Sequence, residues 1–270
     1  MWRFGKWSVS RMQRALWFLL DLRKDAMTPP RRLMNVGSNS FTRSDFHAIG
    51  RTQMGFLVEV GGLQRDDAVL DVGCGVGRMA IQLTSYLSAR GAYRGFDVVR
   101  QSVDHCRRAI TPRFPSFQFD HVDIQNSSYN PRGTVAPQDF RFPYADASFS
   151  FVFLTSVFTH MQWPEVERYI AEIRRVLVQG GRVFATYFLI NPESESGIRG
   201  GSARYSFAYP GERSRVELAD DPDAAVAFDE TSVLALYAKS GMDIVSTRYG
   251  FWSGRQADKG FQDIVVAVKR

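Results

Sequence analysis

Cysteine is nearly absent: the chain has 270 residues and only Cys74 and Cys106. Two thiols cannot build the disulfide framework of a small secreted domain. With no C-x-x-C pair there is no zinc or iron–sulfur signature either, so no metal site is expected and a reducing cytoplasm is the expected home. Long apolar runs are also missing near the start. Leu16 to Leu20 is five residues, against the roughly 20 needed to span a bilayer. It is short for a signal-peptide core, and no small-residue cleavage site follows it. Internal repeats and low-complexity tracts are absent. Net positive charge is absent from most of the chain. The formal +6 arises within residues 1–32, where Arg3, Lys6, Arg11, Arg14, Arg23, Lys24, Arg31 and Arg32 face only Asp21 and Asp25; the remaining 238 residues balance 26 basic against 26 acidic. The body therefore lacks the basic footprint of a nucleic-acid binder, and no nucleic-acid partner is expected.

What is present is organised around Val69-Leu70-Asp71-Val72-Gly73-Cys74-Gly75-Val76-Gly77-Arg78. It reads as a buried strand entering a glycine turn, which opens a helix near Val76. Glycines impose no Cβ, so backbone N–H groups can approach a ligand closely. The dinucleotide fingerprint G-x-G-x-x-G would need glycine at position 78. Arg78 stands there, and the third glycine is Gly77. The helix should run to Gly91, and the strand Tyr93 to Asp97 then ends in an acid about 20 residues after the turn. At that distance a carboxylate can accept both ribose hydroxyls of a nucleoside ligand, with Val98 against its base.

Ahead of the turn, residues 8–24 read as one helix, either packed on the domain or a partner, or lying as a basic amphipathic helix on an anionic membrane. Residues 33–66 look like a lid with a helix over roughly 51–60; its Phe41, Phe46 and His47 face the ligand or simply pack on the surface. Beyond the turn, a third strand, Phe117 to Val122, ends at Asp123-Ile124. Residues 125–147 lack periodicity, and a loop longer than about 15 residues is usually functional or disordered. Carrying Tyr129, Phe142 and Tyr144, it reads as ordered and substrate-facing. Phe149 to Thr155 is a continuous apolar run, as in a central parallel strand buried on both faces. Pro164 opens a helix, Gly180-Gly181 turns it into a strand over Arg182 to Ile190, and residues 191–228 form a polar insert. A helix over Val233 to Lys239 and strands near 242–250 and 261–268 close the chain. Between those strands, Trp252 and Arg255 can stack on or bond to a sugar or acid, or anchor the structure.

In this order and spacing, the glycine turn, Asp97, Asp123, the fourth-strand run and the Gly-Gly turn resemble the class I S-adenosylmethionine (AdoMet) methyltransferases over about residues 60–270. Two departures are Ser150, where many members carry an acid, and Gln179, where Leu-x-Pro-Gly-Gly is typical. The resemblance implies an α/β, doubly wound, mostly parallel seven-stranded sheet with an antiparallel last strand, a Rossmann-like methyltransferase fold. The domain would cover 67–270 with the insert 191–228, behind a basic helical arm (1–32) and a lid (33–66). The implied cofactor is AdoMet. Asp71, Gly73, Cys74, Gly75, Gly77 and Arg78 would form its turn, Asp97 and Val98 would meet ribose and adenine, and Thr155 would lie at the fourth strand's end. Asp123 would bond the adenine amino group, with Asp120 competing, and the N–H of Ile124 would read a ring nitrogen.

The implied reaction is in-line transfer of a methyl group, in which proximity and alignment do most of the catalysis. His160, after the fourth strand and flanked by Ser156 and Thr159, would be the general base, since an imidazole suits proton uptake at neutral pH, or would only cap the coming helix or line the pocket. His47 is the runner-up, and His105 and His121 suit structural roles. Tyr129, Tyr144, Trp252 and Arg255 are the candidate substrate contacts. DNA-modifying relatives show Asn/Asp-Pro-Pro-Tyr/Phe after strand four, where this chain has Leu154-Thr155-Ser156-Val157. The expected acceptor is thus a hydroxyl or amine of a small molecule, glycan or lipid. The rivals are a non-catalytic AdoMet-binding module and a nicotinamide-dependent oxidoreductase. The basic arm adds peripheral contact with the inner membrane face as an alternative to a purely cytoplasmic enzyme.

Overall fold

The computed structural model describes residues 26–34, 42–127, 129–257 and 260–270. The expected helix over 8–24, most of the basic arm and Phe41 lie outside the described residues. Among the described residues, no helix is long and apolar enough to cross a membrane.

Five strands come first in the chain: β1 (Ala68–Val72), β2 (Ala92–Asp97), β3 (Phe117–His121), β4 (Phe149–Leu154) and β5 (Leu177–Tyr187). Short strands β6 (Leu189–Ile190), β7 (Tyr209–Pro210), β8 (Ser214–Val216) and β9 (Val226–Asp229) follow, and β10 (Met242–Arg248) and β11 (Asp263–Lys269) close the chain. The main sheet has seven strands in the order β10-β11-β5-β4-β1-β2-β3. Strands β1 to β5 pair in parallel, while β11 is antiparallel to both β5 and β10. This is the doubly wound, mostly parallel sheet with an antiparallel last strand. Strand order reverses between β1 and β4, and open α/β sheets hold ligands at the carboxyl ends of the strands beside such a reversal.

The sheet is buried on both faces because its strands are apolar at successive positions, and successive side chains point to opposite faces. In β4, Phe151 and Phe153 enter one core, with Val69, Tyr93 and Phe184. Val152 and Leu154 enter the other, with Leu70, Val72 and Val183. Ser150 ties β4 to the start of β1: its hydroxyl donates to Asp67 Oδ1 at 2.6 Å and accepts from the Ala68 N–H at 3.0 Å.

Three elements depart from expectation. The helix before β1 spans Arg43–Glu59 and starts well ahead of residue 51, because Thr42 and Asp45 form a capping box that satisfies two of its orphan N–H groups. The helix after the glycine turn ends at Leu83 rather than near Gly91. The strand expected over Arg182 to Ile190 is two strands, since β5 ends at Tyr187 and Leu189–Ile190 leaves for a second sheet of order β6-β9-β8-β7. The insert is therefore a small sheet, with the helix Pro192–Arg199 and a core of Phe188, Ile190, Phe207, Ala225, Ala227 and Trp252.

Candidate active site

The carboxyl ends of β1, β2 and β4 converge on one cavity of about 280 Å³ at the reversal of strand order. Leaving β1, the chain turns through Gly73, Cys74 and Gly75, and the N–H groups of Gly73 and Cys74 both donate to Phe96 O at 2.9 and 3.0 Å. Gly75 has φ +52°, and a Cβ there would stand in open space, which leaves the turn's backbone bare toward the cavity. Gly77 serves a different purpose. It caps the helix Arg78–Leu83 at φ +80°, and a Cβ would meet Ile110 Cδ1 at 2.7 Å.

Asp97, at the end of β2, closes the turn from the other side. Its Oδ2 accepts from the Gly75 N–H at 2.7 Å and its Oδ1 from the Val99 N–H at 2.8 Å. Burial raises its pKa against the pull of these donors. A carboxylate offers about four acceptor positions, so two stay open for hydroxyl groups of a ligand. Val98 and Ile124 supply apolar wall beside it. This combination of a bare glycine turn, a partly spent carboxylate and apolar wall fits a nucleoside such as that of AdoMet. Beneath the turn, buried Asp71 accepts from the Tyr93 hydroxyl at 2.6 Å. Burial pushes its pKa up to about 7, while nearby Arg78 pulls the other way.

His160, Tyr129 and Glu165 line the same cavity. His160 ends a short 3-10 turn after β4, and its ring meets Tyr129 edge-on at 6.0 Å. Its Nδ1 lies 2.9 Å from the main-chain oxygen of Asp223, in the insert. A carbonyl oxygen only accepts, so this contact calls for a proton on Nδ1, and in a neutral ring so protonated Nε2 carries the lone pair. Thr155, just past the end of β4, also lines the cavity. Ser156 follows at φ +58°, a left-handed conformation that costs a non-glycine residue about 1–3 kcal/mol. Its N–H donates to Thr186 Oγ1 at 2.8 Å and its hydroxyl to Gln262 Oε1 at 3.0 Å, which hold it there.

Asp71, Gly73, Cys74, Gly75, Arg78, Asp97, Val98, Ile124, Tyr129, Thr155 and His160 thus share one cavity. Five expected site residues do not join them. Gly77 packs behind the turn. Asp123 is exposed, and its carboxylate accepts from Thr134 Oγ1 at 2.8 Å and Asn130 Nδ2 at 3.1 Å, so it closes its own loop. Tyr144 donates its hydroxyl to Asp120 at 3.0 Å, which also occupies the rival acid. Trp252 is buried, its indole N–H bonded to Asp263 at 2.7 Å. The Arg255 guanidinium lies over Tyr249 and bonds Asn191, an anchoring role.

Of the other histidines, His47 is engaged by Thr28 at 2.8 Å and Gln82 at 3.5 Å. His105 meets Met27 O at 3.0 Å and His121 meets Val98 O at 3.2 Å. From the lid, Phe46 does reach the cavity. Sequence reasoning missed Glu165. Gln162 and Glu165 form a capping box on the helix Trp163–Val176, where the Glu165 carboxylate accepts from the Gln162 N–H at 2.8 Å. The Q-x-x-E spacing ahead of an apolar stripe was the available signal. Burial pushes the Glu165 pKa up to about 7.

A family model described as a methyltransferase domain matches residues 69–181, which hold the glycine turn, Asp97, β4, His160 and Gly180-Gly181. Among solved structures, a methyltransferase from Methanosarcina mazei that depends on S-adenosylmethionine is similar at a TM-score of 0.52 and 21% identity, covering 78% of this chain and 96% of that one. The 1,6-didemethyltoxoflavin-N1-methyltransferase of Burkholderia thailandensis, solved with 1,6-didemethyltoxoflavin and S-adenosylhomocysteine bound, gives 0.53 at 14% identity over 98% and 93% of the two chains. Magnesium protoporphyrin IX methyltransferase from Synechocystis, with S-adenosylhomocysteine bound, gives 0.53 at 16% identity over 96% and 100%. At these identities the structural likenesses carry the fold, and the family model carries the chemistry.

Proposed function

Since this chain is a class I AdoMet-dependent methyltransferase, we propose that it methylates a hydroxyl or amine of a small molecule, with His160 as general base. Asp97 would hold the ribose, the Gly73–Gly75 backbone would line the cofactor's path, and Val98 and Ile124 would flank adenine. Thr155 would lie toward the reacting end, and Asp71 and Arg78 would support the turn from beneath. The cofactor supplies a methyl group already activated on a cationic sulfonium. The rest falls to the protein's own residues. Tyr129 and His160 would bound the acceptor. Transfer of that methyl group to the acceptor's oxygen or nitrogen would leave a proton on the acceptor for the protein to remove. The acceptor's proton passes to Nε2 of His160, and from there to water.

The observation that carries this reading is the single cavity joining Asp97 to a histidine whose Nδ1 is bonded to a carbonyl oxygen. The small-molecule class is supported by two structurally similar methyltransferases, which are named for 1,6-didemethyltoxoflavin and magnesium protoporphyrin IX. The test is to incubate the full chain with methyl-labelled AdoMet and cell extract, then separate small molecules, lipids, protein and nucleic acid. Label is expected in the small-molecule fraction and should fall in His160→Gln. Label confined to lipid, protein or nucleic acid would overturn the acceptor class.

A further inference from the structure

We propose that Asp223, in the acidic turn of the insert, is a positioning residue that fixes the tautomer of His160. The inference rests on reading His160 as the base, but its own evidence is separate. The main-chain oxygen of Asp223 lies 2.9 Å from Nδ1 and accepts its hydrogen bond. Its carboxylate holds that oxygen in place from two sides: Oδ2 accepts from the Ser127 hydroxyl at 2.7 Å and Oδ1 from Gln162 Nε2 at 3.0 Å. Ser127 belongs to the loop that carries Tyr129, and Gln162 caps the helix that carries Glu165. One residue of the insert thereby joins three segments around the acceptor end of the cavity.

The chemistry depends on that carbonyl. Free neutral histidine prefers its proton on Nε2, which here would aim two acceptors, Nδ1 and the Asp223 oxygen, at each other and leave no lone pair on Nε2. With Nδ1–H bonded to the carbonyl, Nε2 is the basic nitrogen. When Nε2 takes up the acceptor's proton, the ring becomes a cation and its bond to Asp223 strengthens, because charge-assisted hydrogen bonds are the stronger kind.

The test is nitrogen NMR of the full chain labelled with ¹⁵N-histidine, at a pH where the ring is neutral, with His160→Gln identifying the His160 signals. In the wild type, Nδ1 should show the protonated, pyrrole-type shift and Nε2 the pyridine-type shift. Asp223→Ala should move the population toward Nε2–H, Ser127→Ala should do so to a smaller extent, and Asp223→Asn, which keeps a side-chain acceptor, should restore part of the wild-type pattern. A wild-type ring protonated on Nε2, or spectra unchanged in Asp223→Ala, would overturn the proposal. If Asp223→Ala does not fold, the wild-type tautomer and the Ser127→Ala response decide it. Failure of His160 as a base would appear in the turnover of His160→Gln and would leave the wild-type spectrum unchanged, so the two failures can be told apart.

Discussion

Replacing Asp97 by asparagine should abolish most AdoMet affinity while leaving the chain folded. The carboxylate accepts the Gly75 and Val99 N–H groups, one on each oxygen, and each oxygen keeps one position for a ribose hydroxyl. Asparagine presents one oxygen and one NH₂ group. The NH₂ would face a backbone donor and offer nothing that accepts. A hydrogen bond to a charged group is worth about 1.5–3 kcal/mol, so losing or neutralising two costs about 3–6 kcal/mol. That is roughly 10²–10⁴-fold in Kd. Stranding one buried N–H costs about 1–3 kcal/mol of stability, partly offset because the buried carboxylate no longer has to be ionised. Calorimetric titration of AdoMet at pH 8 reads the first effect, and urea unfolding without ligand reads the second. An Asp97→Asn protein that binds AdoMet within threefold of wild type would refute the reasoning.

The remaining predictions concern the base, the buried acids and the turn. His160→Gln should keep AdoMet affinity and lose about 10²–10⁴-fold in kcat once the acceptor is known; near-full turnover in a steady-state assay would leave proximity alone as the catalytic device. Asp71 titrates near 7 in the folded chain against an ordinary 3.8, so between those values the folded state binds more protons than the unfolded one. Stability should therefore fall as pH rises from about 4 to 7, by up to about 4 kcal/mol from this group; Asp71→Asn should flatten the slope in urea melts at pH 5 and 8, and an unchanged slope would contradict the assignment. Asp263 accepts from the Leu189 and Gly250 N–H groups and the Trp252 indole, so Asp263→Ala should cost about 1–3 kcal/mol for each donor stranded, and a loss below 1 kcal/mol by urea unfolding would be inconsistent. Gly77→Ala, at φ +80° with Ile110 in the way, should lower the unfolding free energy in urea by at least the roughly 1–2 kcal/mol of a left-handed alanine.

Much of the main sheet, and the meeting of the glycine turn with Asp97 in one cavity, was legible because the signals are local. A strand, a glycine turn and an acid at the next strand's end are written in consecutive residues, and the turn fixes which way they face. Asp123 and Ile124 part by a single position: Ile124 lines the cavity, and the Asp123 carboxylate turns outward to Thr134 and Asn130. Trp252 and Arg255 were ambiguous because their partners, Asp263 and Asn191, are set by the fold and not by neighbouring sequence. The insert looked irregular because its strands β7 to β9 run only two to four residues, too short for alternation to show. The bond from His160 to Asp223 joins residues 63 apart, and no periodicity announces it.

In the proposed arrangement one cavity holds the cofactor at Asp97 and turns its reacting end toward His160. A crystal structure of the full chain with S-adenosylhomocysteine would show that seating outright. Both ribose hydroxyls are expected on the Asp97 carboxylate, adenine between Val98 and Ile124, and the sulfur on the side of the cavity lined by Thr155 and His160. A ligand bound elsewhere, or seated with its ribose away from Asp97, would contradict it.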